Sequence, residues 1–281
     1  MMVRRSPFRA IGAMLLLLLG ACTAIERATL PAPAVTDASW QAFTEGSTIV
    51  VDHTAWDRFL ASYRRVGAQG IARVDYAAVS PEDRAALKSY IAALGSVDPA
   101  ALDRPEQLAF WFNLYNAVTV DLVLDAYPIG SIRRVGAGVL PTGPWDAAVV
   151  TVGTKTLSLN DIEHAIVRPI WQDARVHYAF NCAALGCPNL AAEAYRGATV
   201  DAVLDRNARS FVNDPRGFRE EGEQLVASKI YAWFKEDFGG NDAGVIAHAR
   251  RYAEAPLAER LAAAERIDRF EYDWALNDTA D

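Results

Sequence analysis

His177, Asn181, Cys182 and Cys187 fall in one short stretch of the chain. A thiol beside an imidazole and an amide is the material of nucleophilic acyl chemistry: the thiolate attacks, the imidazole moves the proton, and the amide orients the ring. The same two cysteines have other uses. With Gly186 and Pro188 to bend the chain between and after them, they can close a disulfide if their Cα atoms come within about 7 Å. With His177 or His164 they could supply a zinc site, although the usual tight ligand spacing is missing. Spacing alone leaves all three readings open. A second set of candidates lies upstream. Glu163 and His164 are adjacent and could supply a general base or a ligand, against the plainer reading of a solvated helix face. Asn113 and Asn116 sit three apart in a strongly apolar segment, and a buried amide must find partners, so they either tie down loop backbone or line a pocket.

These residues need elements to hold them. The run Arg175 to Asn181 alternates, with Val176, Tyr178 and Phe180 on one side and His177, Ala179 and Asn181 on the other. That period predicts a strand, with His177 and Asn181 on one face and the chain leaving at Cys182, so the three are expected to meet. Before it, 149–152 and 156–159 flank Gly153-Thr154 as a hairpin, and Ser158 caps a short helix with Asp161 three residues on and Pro169 as its end. On that helix Asn160, His164 and Arg168, four apart, share a face. The asparagine pair belongs to a long helix from Pro105 to about Tyr127, apolar nearly all round and therefore central.

Other helices are predicted near 53–66, from Pro81 under a Ser80 cap to a stop at Gly95, after a Thr199 cap, and from Lys229 to Phe238 after a Ser228 cap. A last strand is expected over 267–272, with Trp274 as a plug. Together these describe an α+β fold in which a modest β-sheet packs against a long central helix.

The chain has 281 residues, 52% hydrophobic and 22% charged, a composition that excludes a disordered, collagenous or many-span membrane protein. A net charge of −7 with scattered Lys and Arg excludes a phosphate-binding stripe, so nucleic acid is not an expected partner. Three cysteines are too few for a disulfide-built miniature scaffold. No cofactor is expected.

The N-terminus carries an address. Arg4, Arg5 and Arg9 precede the short apolar run Met14 to Leu19, which ends in Leu19-Gly20-Ala21-Cys22. That run is too short to span a hydrocarbon core of about 30 Å, and small residues before a cysteine suit cleavage and acylation of its thiol. Residues 1–21 therefore read as a bacterial lipoprotein signal and Cys22 as the lipidated N-terminus. Their removal takes the charge from −7 to −10 by deleting three arginines. Residues 22–39, with Pro31 and Pro33, read as a tether, and 40–281 as one domain. Thr23 after the cysteine points to the outer membrane, facing the periplasm.

A resemblance then becomes specific. Phe110-Trp111-Phe112-Asn113-Leu114-Tyr115-Asn116-Ala117, Leu157-Ser158-Leu159-Asn160-Asp161-Ile162-Glu163-His164, His177-Tyr178-Ala179-Phe180-Asn181-Cys182 with Gly186-Cys187-Pro188, and Tyr272-Asp273-Trp274 with Leu276-Asn277 resemble the domain-of-unknown-function family numbered 547. More distantly, the chain is similar to the papain and transglutaminase type of α+β fold. It departs from that type in carrying Asn113 and Asn116, and no cysteine, on the central helix. Two function classes follow. One is a lipid-anchored envelope module that binds a small molecule or peptide, with its 182–187 loop clipped by a disulfide. The other is a hydrolase or acyltransferase using Cys182 or Cys187 with His177.

Overall fold

The computed structural model describes residues 30–136 and 142–280, so the expected signal peptide and Cys22 lie outside the described residues. Helix α1 (Thr54–Tyr63) buries Trp56, Phe59, Leu60 and Tyr63, the stripe its spacing predicts. It ends before Val66 because Arg64–Val66 (β1) pairs antiparallel with Ala72–Val74 (β2). Helix α2 (Pro81–Gly95) starts as expected: the Ser80 hydroxyl accepts from the Asp83 N–H at 3.1 Å, and Pro81 occupies the first turn, where no N–H is needed. Helix α3 (Arg104–Ala126) is capped by Asp103, which accepts from the Glu106 N–H at 2.9 Å. Its Phe110, Trp111, Phe112 and Leu114 are wholly buried, as a helix without a polar face requires.

Strands β3 (Val150–Val152) and β4 (Lys155–Leu157) form the expected hairpin, with Gly153 supplying the positive φ of its turn. Ser158 and Asp161 then exchange bonds in the predicted capping arrangement. The helix that follows is not ended by Pro169. A π-type segment, Asp161–Val167, widens the spiral so that the Arg168 N–H reaches the Glu163 carbonyl, and α4 (Arg168–Trp171) continues it. The ladder has already shifted when the proline, which has no N–H to give, arrives. The chain leaves instead at Gln172, with φ of 50°. Nor is the face of His164 and Arg168 solvated: Glu163, His164 and Arg168 are all buried.

The strand expected over 175–181 is absent. Ala174–Tyr178 is a short 3-10 helix, started by Asp173 accepting from the Arg175 N–H at 2.8 Å. Both sides of the alternating run are buried, Val176 and Tyr178 as well as His177 and Asn181, so the alternation marked two interior surfaces and not one sheet face. One side packs on α5 (Val200–Val212), which turns Val200, Leu204, Ala208 and Phe211 inward. Thr199 precedes α5 but its side chain makes no capping bond.

Strand β5 (Phe218–Glu221) pairs antiparallel with β6 (Gln224–Ser228), and β6 pairs in parallel with β7 (Arg269–Glu271). Ser228 caps α6 (Lys229–Trp233), which is shorter than predicted; the chain turns from Phe234 to Gly239 and Gly240, both at positive φ. Helices α7 (Asp242–Arg250) and α8 (Leu257–Ala263) follow. The fold is α+β, the strands of the described residues divided among three small sheets while α2, α5 and the π segment cover α3. One hydrophobic cluster surrounds α3, a second centres on Tyr178, Phe211, Tyr231 and Phe238, and Trp274 packs against both. No helix among the described residues is long and apolar enough to cross a membrane. Of the expected tether, residues 30–39 run along the body: the Ala34 N–H donates to the His164 carbonyl at 3.1 Å, and Leu30 borders the pocket described next.

Candidate functional site

The chain has four histidines, and the structure treats one differently from the rest. His53 Nε2 faces the amide nitrogen of Asn113 at 3.1 Å, His164 Nδ1 faces the Arg168 guanidinium at 2.9 Å, and His248 Nδ1 faces that of Arg251 at 3.1 Å. Each of those partners can only donate, so each ring nitrogen must accept and each imidazole is neutral. Burial pushes all three down to about 4, helped by the charges of Arg196, Arg168 and Arg251; for His164 this prevails over the opposing pull of Glu163.

His177 instead stands between two carboxylates. Its Nε2 is 2.7 Å from Asp237 Oδ2, its Nδ1 is 3.5 Å from Glu163 Oε1, and its ring stacks on Phe234 with centroids 4.1 Å apart. The elements explain the placement. The 3-10 helix carries His177 inward, the π segment brings Glu163 to one side, and the turn after α6 brings Asp237 to the other. Asp237 also accepts from Arg168 Nε at 2.7 Å. Burial raises the Asp237 carboxyl, but its bonds to His177 and Arg168 outweigh that and hold it well below the usual carboxylate range. Burial likewise raises Glu163, and interactions with His164, His177 and Arg168 bring it below its ordinary value. The Tyr115 hydroxyl, on α3, also faces Glu163. An imidazole placed between two carboxylates can relay a proton from one to the other.

Of this group Glu163, His177, Phe234 and Tyr115 line an open cavity of about 330 Å³, with Asp237 behind the His177 ring. Trp145, Trp233, Phe234, Tyr272 and Trp274 supply aromatic wall, and Cys182 and Cys187 line it as well. His177 Nδ1 and Trp274 Nε1 are buried there without hydrogen-bond partners among the described residues. Cys182 and Cys187 are paired as a disulfide, their Cα atoms 6.3 Å apart. The Tyr272 hydroxyl lies 2.9 Å from Cys182 Sγ and 3.0 Å from Cys187 Sγ.

The amides do other work. Asn113 donates to the Tyr195 carbonyl and accepts from the Tyr195 N–H, both at 2.9 Å. Asn116 donates to the Ala179 carbonyl at 3.0 Å and accepts from the Asn181 N–H at 2.9 Å. Both therefore tie irregular chain to the central helix, and Asn116 satisfies the backbone that a strand would have paired. Asn181 does not join His177 at the cavity. Without a strand there is no shared face, and its side chain turns into the cysteine loop, donating to the Pro188 carbonyl at 2.8 Å and accepting from the Ala183 N–H at 3.0 Å. His177 and Cys182 do line the same cavity. Among the described residues no group of three or more His, Cys, Asp or Glu side chains is arranged to hold a metal ion.

Sequence reasoning missed Asp237, Arg168 as its partner, and Phe234. Arg168 was visible only as a polar helix residue, and nothing local links Asp237 to a histidine 60 positions away. Tyr272 and Trp274 did carry a signal, as part of the Tyr272-Asp273-Trp274 block.

Residues 99–212 match the model of a family described as "Protein of unknown function, DUF547". This segment is a DUF547 domain. No curated protein and no solved structure matches the chain. The DUF547 segment supplies α3, Glu163, His164, His177 and the cysteine loop, whereas the lining residues Trp233, Phe234, Tyr272 and Trp274, and Asp237 behind His177, come from the chain that follows it. The cavity is therefore completed by residues beyond the DUF547 match.

Proposed function

We propose that this protein is a lipid-anchored domain of a bacterial cell envelope, held at the outer membrane and facing the periplasm, whose aromatic cavity binds a small molecule or peptide. The observation that carries the binding reading is the cavity itself. Pockets that take ligands are concave and mostly apolar with a few convergent polar groups, and here aromatic walls flank Glu163 and His177, the latter held from behind by Asp237. The 182–187 loop, closed by its disulfide, forms a fixed part of the wall. The anchor rests on the Cys22 motif.

Benzyl alcohol and N-acetyl-phenylalaninamide represent the two ligand classes, and intrinsic tryptophan fluorescence reports on Trp233 and Trp274. A saturable change with either probe is expected, weakened in Trp145→Ala, which removes wall and keeps two reporters. No saturable change with both probes refutes the binding reading. A cysteine hydrolase has one observation in its favour, the shared cavity of His177 and the two sulfurs. It requires reduction first, because a disulfide sulfur is not a nucleophilic thiolate. Selective alkylation of one cysteine by iodoacetamide after mild reduction, slowed by His177→Ala, would support it; equal labelling of both thiols would not.

A further inference from the structure

The polar contacts around the two sulfurs exceed what a loop clip needs. Cys187 Sγ receives the Cys182 backbone N–H at 3.0 Å and the Tyr272 hydroxyl at 3.0 Å, while Cys182 Sγ receives only Tyr272, at 2.9 Å. The two cysteines also differ in exposure: Cys187 is 2% exposed as a residue, whereas Cys182 is only partly buried, so an incoming group meets Cys182 first. We propose that Cys182–Cys187 is a thiol–disulfide exchange centre, acting on thiol-bearing molecules that enter the aromatic cavity. The inference rests on the cavity-binding reading and adds a substrate class to it.

Exchange runs through attack by a thiolate on one disulfide sulfur, and it is favoured at the accessible sulfur and when the departing sulfur is stabilised as an anion. Both criteria select the same polarity. An incoming thiolate, its proton left in water, attacks Cys182 Sγ. A bond forms between the substrate sulfur and Cys182, the Cys182–Cys187 bond breaks, and the electron pair goes to Cys187, where two donors await it. A second substrate thiolate then attacks the bound substrate sulfur, releasing a substrate disulfide and the Cys182 thiolate. Two substrate thiols lose two electrons and the protein disulfide gains them. A disulfide donor from solution restores the resting state by the reverse steps.

The donors are held in place. Tyr272 packs between Trp233 and Trp274, with ring centroids 4.8 and 4.7 Å away, and burial keeps its hydroxyl protonated. The loop is registered against the same segment: the Gly186 N–H donates to the Asp273 carbonyl at 2.9 Å and the Leu185 N–H to the Ala275 carbonyl at 2.8 Å. The approach at Gly186 is so close that a Cβ there would lie 2.8 Å from the Asp273 nitrogen.

The purified full chain, disulfide intact, is treated with benzyl mercaptan or 2-mercaptoethanol, quenched in acid and weighed. Relative to the same chain unfolded in guanidinium, benzyl mercaptan should gain at least about tenfold over 2-mercaptoethanol. Tyr272→Phe keeps the ring and loses the donor, and a hydrogen bond to a charged group is worth enough to slow exchange about tenfold. Cys187→Ser should trap a benzyl mixed disulfide from dibenzyl disulfide at Cys182, and Cys182→Ser should stay unlabelled at Cys187. An unchanged rate in Tyr272→Phe, labelling at Cys187, or no advantage over the unfolded chain overturns the proposal. Saturable binding of benzyl alcohol or N-acetyl-phenylalaninamide without exchange refutes exchange alone; absence of exchange and of saturable binding by both probes refutes the binding reading with it.

Discussion

Lowering the pH from 7.5 to 4.5 should unfold this protein through its three clamped histidines. His53, His164 and His248 each accept a hydrogen bond from a group that can only donate, and each is held at about 4 against an ordinary 6.5. Below 6.5 the unfolded chain binds protons that the folded chain refuses, so stability falls as pH falls. The contribution is complete above 6.5 and gone below about 4. A histidine so placed is worth about 3 kcal/mol at neutral pH, and three sites give a slope of up to about 4 kcal/mol per pH unit inside that window. Their total, on the order of 10 kcal/mol, is comparable with the whole stability of an ordinary domain. Asp237 cannot produce this loss. Its carboxyl is depressed, so its contribution is present above about 4 and is lost only as pH falls further. Urea melts followed by far-ultraviolet circular dichroism at pH 7.5, 6.5, 5.5 and 4.5 measure the slope, and His248→Gln should remove about a third of it. Equal stability at pH 7.5 and 5, within about 1 kcal/mol, would refute the reasoning.

Asn113→Ala should cost about 1–3 kcal/mol in urea melts, because it strands the buried N–H and carbonyl of Tyr195 and leaves His53 without its donor; a neutral substitution would show that this tie is replaceable. Asp237→Asn leaves the guanidinium of Arg168, with a side chain 3% exposed, lacking its charge partner, at a cost of about 3–5 kcal/mol. A Tm equal to that of the unsubstituted protein would mean that another group takes up the charge. Cys22→Ser should abolish lipid attachment and membrane partitioning, read by fractionation and intact mass; unchanged partitioning, with no lipid mass on the original protein, would remove the anchor from the account.

What the amino-acid sequence alone determined is mostly what depends on near neighbours. The start of α2 was legible because Ser80, Pro81 and Asp83 act on backbone donors within one turn, and α3 was legible because Phe110 to Tyr115 leave it no solvent face. The cysteine pairing was open to both chemistry and clipping, since the reach from Cys182 to Cys187 is short whatever lies around it. Tertiary structure decided the rest. Alternation over 175–181 reads as a strand locally, yet its backbone is met by Asn116 and both its faces are buried, so a 3-10 turn replaces a ladder that had no partner strand. Asp237 and Phe234 reach His177 from the far side of α5, β5, β6 and α6, a meeting that no spacing encodes because it depends on how two hydrophobic clusters dock. The difference between one histidine and the other three has the same origin. Identical side chains become structural acceptors or a carboxylate-held imidazole according to which donor or acceptor the packed chain places opposite them, and burial makes that choice costly to reverse.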